Sequence, residues 1–296
     1  MKMQMGNFFS LGFFPRAIGS ATLAGALALL CGGCFDHRGA PERLVSARGM
    51  DEAAPIAATV EELDLSGGAG ELPAEISSMP RLRNLYLRGG AYTGFAALAG
   101  IESLEVLDLA RVRLGAMPPE VLSLKSLRDL YLSGCGLAAF PEGLESLPSL
   151  RYLNLDRNGI AELPDALPPG LRFLRLNFNE ISSLPPSIGS LHGLRRLYLR
   201  RNRLETLPGE LSACTELTDL DLAENNLAEF PSMLSALPRL RNLDLSGNAR
   251  ITSMPDGATL AAFRALRTLR LTGCPLKNEE RARVRAALDP ACAIIF

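Results

Sequence analysis

At 296 residues, 47% of them hydrophobic and none of them Trp, the chain is long enough to bury one large core or two ordinary ones. Its 31 Lys and Arg nearly balance 32 Asp and Glu, for a formal net charge of -1. No overall field exists to hold a polyanion, so nucleic acid is not an expected partner.

Residues 1–33 read as a signal peptide. Positive charge occurs there only at Lys2 and Arg16, and residues 17–30 form an uncharged run. Such a run is too short to cross a bilayer core of about 30 Å as a helix, which takes roughly 20 residues, but it suits the apolar region of a signal peptide. It ends in Leu-Cys-Gly-Gly-Cys, from Leu30 to Cys34. That ending resembles the lipobox of bacterial lipoproteins, with Cys31 standing where the family has an aliphatic residue. The resemblance implies that Cys34 is acylated and becomes the first residue of the mature protein. Triple acylation, at about 0.8 kcal/mol per buried CH2, gives a stable membrane anchor. The expected location is therefore the cell envelope, at the outer membrane or cell surface. A plain cleaved signal peptide and a secreted protein form the alternative.

Read instead as a site, Cys31 and Cys34 fit poorly. Haem attachment needs His directly after the second Cys, where Phe35 stands, and a zinc site needs four ligands where only His37 is near. Residues 34–59 mix Ala, Pro, Gly and charge without apolar periodicity, and read as a flexible tether.

From Val60 onward the pattern L-x-x-L-x-L occurs ten times, from Val60-Leu63-Leu65 to Leu266-Leu269-Leu271, with starts 21 to 26 residues apart. A fixed period of this length is the mark of a solenoid. The last two apolar positions of each pattern are two apart, so they share one face of a strand while the residue between them points outward. Three places later stand Asn158, Asn179, Asn202, Asn225 and Asn248, with Cys135 and Cys274 in two further coils and Gly68, Gly90 and Val112 in the first three. Then comes Leu-Pro, as at Leu184-Pro185 and Leu207-Pro208, or a variant such as Phe140-Pro141. Proline is tolerated in the first turn of a helix, so a short helical return follows.

The unit "LRFLRLNFNEISSLPPSIGSLHG" resembles the bacterial leucine-rich repeat of about 23 residues. The resemblance implies an α/β fold: a right-handed horseshoe solenoid over residues 60–277, with a concave parallel β-sheet and helical or 3-10 convex returns. It also implies that the Asn side chains form a ladder satisfying the backbone from coil to coil. The first three coils lack this Asn, and that end is expected to be less rigid. Because each unit is stable only when stacked, the ends need caps. Residues 278–296 supply one, read as a helix over 278–288, an Asp-Pro stop and a final strand.

Catalysis is not expected. The leucine-rich ligases secreted by pathogens resemble the 21-residue coil containing Gly170, but they carry a helical catalytic domain that these residues do not. The two histidines, His37 and His192, read as solvated, and Cys135, Cys214, Cys274 and Cys292 as small buried groups. No cofactor and no metal are expected, and the protein is expected to be a monomer.

The repeats instead offer a surface. Outward strand positions hold Tyr86, Tyr131, Arg175, Tyr198 and Asp221, and two places before such positions stand Tyr152, Phe173, Arg196 and Asp219. Arg200 adds to the same middle coils, with Phe178, Arg201 and Glu224 beside it. Tyr and Arg are enriched at binding hot spots. The expected function is a non-catalytic module binding a protein or peptide on its concave face, with a secreted effector acting on a host protein as the alternative.

Overall fold

A computed structural model describes residues 44–296. The expected signal peptide and the first ten residues of the expected tether, Cys34 included, lie outside the described residues. The strands in chain order are β1 (Ser46–Arg48), β2 (Glu62–Asp64), β3 (Ala69–Glu71), β4 (Asn84–Tyr86), β5 (Ala91–Gly94), β6 (Val106–Asp108) and β7 (Asp129–Tyr131). They continue as β8 (Tyr152–Asn154), β9 (Phe173–Arg175), β10 (Arg196–Tyr198), β11 (Asp219–Asp221), β12 (Asn242–Asp244), β13 (Thr268–Arg270) and β14 (Ala293–Ile295).

Twelve of these strands form one parallel sheet in chain order, as a right-handed leucine-rich repeat solenoid requires, while β3 and β5 pair separately. Each repeat strand has an apolar centre. Leu63, Leu85, Leu107, Leu130, Leu153, Leu174 and Leu197 pair in one row and are fully buried. Their strand neighbours alternate outward, so one face of the sheet makes the core and the other is left for solvent or a partner.

Parallel strands need a crossover, and in most coils here it is a short 3-10 turn, with α-helices Gly257–Ala261 and Asn278–Ala287 before β13 and β14. Pro73, Pro118, Pro185, Pro208 and Pro231 stand directly before the turns Ala74–Ser78, Pro119–Ser123, Pro186–Ser190, Gly209–Ala213 and Ser232–Ala236. Proline holds φ near the helical value and has no N–H to leave unpaired. Serine hydroxyls close four of these turns, as Ser123 does by donating to Glu120 O at 2.6 Å. The 21-residue coil starting at Leu150 has no such turn. Its two missing residues are those a 3-10 turn would have used.

The asparagine ladder is built as the repeat implies. Asn202 Nδ2 donates to Leu199 O in its own coil and to Leu176 O in the coil before, both at 2.9 Å. Its Oδ1 accepts the Ile181 N–H at 3.0 Å. Asn158, Asn179, Asn225 and Asn248 repeat this pattern. Cys135 and Cys274 retain only the donating half, with Sγ 3.1 Å from Leu109 O and 3.3 Å from Leu245 O.

The N-terminal coils are braced differently from the looseness expected of them. Tyr92, buried at 7% exposure, fills the ladder space of the first two coils and donates its hydroxyl to Leu65 O at 2.6 Å. A Cβ on Gly68 would lie 2.1 Å from that hydroxyl oxygen, and one on Gly90 2.5 Å from the ring. Both glycines are therefore the room the tyrosine needs, and the β3–β5 pair runs beside it.

Residues 44–59 correct the tether reading. β1 pairs with β2 in register, Ala47 opposite Leu63, and the short helix Met50–Ala53 and the turn Ala54–Ile56 follow. Gly49, at φ 82°, turns the chain between strand and helix. This is a cap. It covers the open edge of β2 and buries Ala47 and Ala53 at 2% and 0% exposure. A cap inserts so few side chains that no apolar period arises.

The other end closes as the sequence implies. Helix Asn278–Ala287 buries Val284, and β14 adds in parallel to β13. Arg281 and Arg285 stack on the ring of Phe296, and Glu280 accepts the Met254 N–H at 2.8 Å.

Candidate protein-binding face

The concave surface is a set of rows, because side chains at equal strand positions stand side by side across parallel strands. In one row Tyr152, Phe173, Arg196 and Asp219 are direct neighbours; in the next come Tyr86, Asp108, Tyr131, Asn154, Arg175, Tyr198 and Asp221. The structure thus places all of these sequence-predicted strand residues on one face. It brings three rings together: Tyr131 and Tyr152 lie 4.8 Å apart, and Tyr152 and Phe173 6.1 Å, between centroids. Arg196 stands over Phe173 and Arg175 over Tyr198, each with Cζ 5.3 Å from the ring centre. Tyr86 stands apart, two strands before Tyr131.

Burial raises the phenol pKa of Tyr152 to about 12, against the opposing pull of Arg175. It remains a neutral ring and a hydrogen-bonding hydroxyl at any ordinary pH.

The arginines are not free hot spots. Arg175 reaches Asp156 through two nitrogens, at 2.7 and 2.8 Å, and Arg196 lies 3.6 Å from Asp219. Arg200 contacts three carboxylates, Asp221 at 3.3 Å, Glu224 at 2.8 Å and Asp244 at 3.2 Å. Arg201 pairs with Glu224 as well, and these contacts hold the Glu224 carboxyl below its ordinary pKa. Asp221 also accepts the Ala223 N–H at 3.0 Å, and burial raises its pKa despite Arg200. Asp219 and Asp221 therefore hold the scaffold's own cations, and replacing Arg200 would leave three acids facing one another without their shared cation.

Sequence reasoning missed Arg88, Asp156 and Arg157. It also gave no account of the residue that precedes the ladder position. That residue has positive φ in every coil: Gly67, Gly89, Gly134, Gly247 and Gly273 in five, and Arg111, Arg157, Phe178, Arg201 and Glu224 in the others. A side chain there costs about 1 to 2 kcal/mol. In four adjacent coils contacts offset this, with Arg157 4.1 Å and Arg201 5.2 Å from the Phe178 ring centre and Glu224 on Arg201. The signal was visible as a run of non-glycine residues where glycine is the simple solution.

The chemistry of the other candidates is quiet. Burial lifts the thiols of Cys135 to about 12 and Cys214 to about 11, so neither supplies a thiolate near neutral pH. Cys274 and Cys292 are separate free thiols. His192 is exposed on a convex return, Nδ1 3.4 Å from Ala213 O. Among the described residues no group of three or more His, Cys, Asp or Glu is placed to hold a metal ion.

Residues 113–256 match the family model of a leucine-rich repeat region. No curated protein matches the chain significantly. The backbone is similar to that of a leucine-rich repeat protein of Leptospira interrogans, with TM-score 0.62 and 24% identity over 81% of this chain and 74% of that one. An internalin of Listeria monocytogenes gives TM-score 0.67 and 19% identity over 86% and 80% of the two chains. The leucine-rich repeat ectodomain of a membrane receptor kinase from Arabidopsis thaliana gives 0.64 and 26%, covering 79% of this chain but 30% of the ectodomain.

Proposed function

We propose that this leucine-rich repeat solenoid is a non-catalytic module that holds a protein or peptide across its concave face, exported and anchored in the cell envelope through a lipid on Cys34. The observation that carries the binding reading is the Tyr131, Tyr152 and Phe173 stack. These rings stand partly buried on the outer side of strands whose inner side is already filled by leucine, so the core does not require them. Partly buried, mutually supported aromatic rings with one side open on a rigid sheet are what a binding hot spot is made of. The similar Arabidopsis ectodomain was solved in complex with Casparian strip integrity factor 2, which supports a proteinaceous ligand for this shape of surface.

Photo-reactive benzoylphenylalanine at position 152 or 173 is expected to give protein or peptide adducts in the producing cell, whereas at the convex positions 210 and 212 it gives none. The Tyr152→Ser, Phe173→Ser double variant loses the adduct of a reporter at position 131 without a change in melting temperature. Adducts from the convex positions alone would overturn the reading. The sequence from Leu30 to Cys34 supports the anchor, and Cys34→Ser is expected to move the protein from the membrane to the soluble fraction. Unchanged membrane retention would dismiss the lipid.

A further inference from the structure

The flank on which the chain enters its strands carries a row of arginines that neither the core nor the concave face uses. The residue just before each repeat strand donates its N–H to the carbonyl of its counterpart one coil back, so these residues stand side by side. Across the ten coils Arg occupies this place in seven, Glu in two and Thr in one. Arg128, Arg151, Arg172 and Arg195 fill four adjacent coils, and Arg241 and Arg267 resume the row after Thr218. Strand spacing sets such neighbours about 4.8 Å apart at the backbone, where like charges repel. The excess lies in the count and not in unpaired groups. Glu105 takes both Arg83 at 2.8 Å and Arg128 at 3.1 Å, and Arg195 is engaged within the chain. Glu216, beside the row, is held by Arg239.

Any polar residue would serve the fold here, because the row lies outside the leucine core. Arg151 is held by backbone acceptors, which leave its charge uncancelled: Nη1 lies 3.1 Å from both Pro148 O and Leu150 O, in space that a Cβ on Gly170 would fill. Arg128, Arg172, Arg241 and Arg267 are exposed. On the opposite flank, where the chain leaves its strands, charges meet in pairs: Arg201 with Glu224, Arg203 with Glu180 at 3.0 Å and Arg250 with Glu205 at 3.6 Å. The chain also enters the fold on the arginine flank. Val45, 41% exposed, accepts the Glu61 N–H at 2.8 Å and so continues the row. Cys34 stands ten residues before Leu44, and a chain of that length spans at most about 35 Å. A lipid on Cys34 keeps this flank within that distance of a bilayer, whose anionic headgroups carry the opposite charge.

We propose that the arginine flank rests on the anionic lipid headgroups of the membrane that holds the anchor, which turns the concave face sideways and leaves it open to its partner. Guanidinium groups pair with phosphate oxygens through two parallel hydrogen bonds, and the row presents several such groups at once. The choice of a membrane rests on the lipid-anchor reading above, whereas the charge row does not. Contacts of this kind are weak and screened by salt, so they orient an anchored protein without retaining a released one.

The mature chain, residues 34–296 with Cys34→Ser and hence no lipid, is mixed with phosphatidylcholine vesicles, with or without phosphatidylglycerol, and floated at low and high salt. It is expected to float only with phosphatidylglycerol present and only at low salt. The Arg172→Gln, Arg241→Gln, Arg267→Gln variant should bind about a hundredfold more weakly at an unchanged melting temperature. The Arg111→Gln, Arg113→Gln, Arg250→Gln variant removes the same charge from the opposite flank and should lose less than about threefold. Equal losses from the two variants, or no flotation with phosphatidylglycerol, would overturn the inference. Capture of polyglutamate without flotation would also overturn it and give the row to an acidic protein. If the vesicles bind as expected but Cys34→Ser stays in the membrane fraction of cells after a high-salt wash, the anchor reading fails and the arginine flank stands. If the vesicles do not bind but Cys34→Ser is released from cells, the anchor stands without it.

Discussion

Asn202→Ala is expected to lower the unfolding free energy by about 3 to 5 kcal/mol, the cost of stripping partners from several buried backbone groups at about 1 to 3 kcal/mol each. Asn202 is 8% exposed, and its amide supplies the donor for Leu176 O and Leu199 O and the acceptor for the Ile181 N–H. Alanine would leave all three without these bonds in a place water does not reach. Asn202→Cys provides the discriminating control, because Cys135 and Cys274 already stand at this position and donate to the preceding coil. It should recover about half the loss, since the thiol restores a donor but is a weak acceptor. Urea unfolding followed by circular dichroism reads both. A loss under about 1 kcal/mol for the alanine variant would mean that leucine packing alone holds the coils together.

Tyr92→Ala is expected to cost a comparable amount, about 3 to 5 kcal/mol, for a different reason. The ring is the filling between Gly68 and Gly90, and neither glycine has a side chain that could relax into the space. Tyr92→Phe keeps the filling and loses only the hydrogen bond to Leu65 O, worth about 1 kcal/mol. The two variants should therefore separate clearly in a thermal melt. Equal effects would show that the hydroxyl, and not the packing, braces the first two coils.

What the sequence makes legible follows from which constraints are periodic. Each coil must place Leu at the same strand centre and Asn at the same bend, so the sheet, the returns and the ladder can be read from spacing. The N-terminal cap could not be read that way, because Ala47 and Ala53 are single insertions of the least distinctive apolar residue. Tyr92 was hidden because its partner is an absence, two missing side chains in two different coils. The candidate face was half legible. Alternation puts Tyr131, Tyr152 and Phe173 outward, and they meet there. Arg200, in contrast, is consumed by acids as far as 44 residues away, a pairing that depends on which coils lie side by side and not on any local pattern.

The ladder has a consequence for how such a chain changes over generations. From Asn158 to Asn248 every rung bonds backward to its predecessor in the same way, so a cut between two coils meets the same partners wherever it is made. Unequal recombination can add or remove one whole unit in this stretch and still find a matched joint, exchanging surface residues while leaving the frame alone. The first two coils have no such freedom. Tyr92 reaches back 27 residues to Leu65 through two glycines, so those coils are inherited together or lost together.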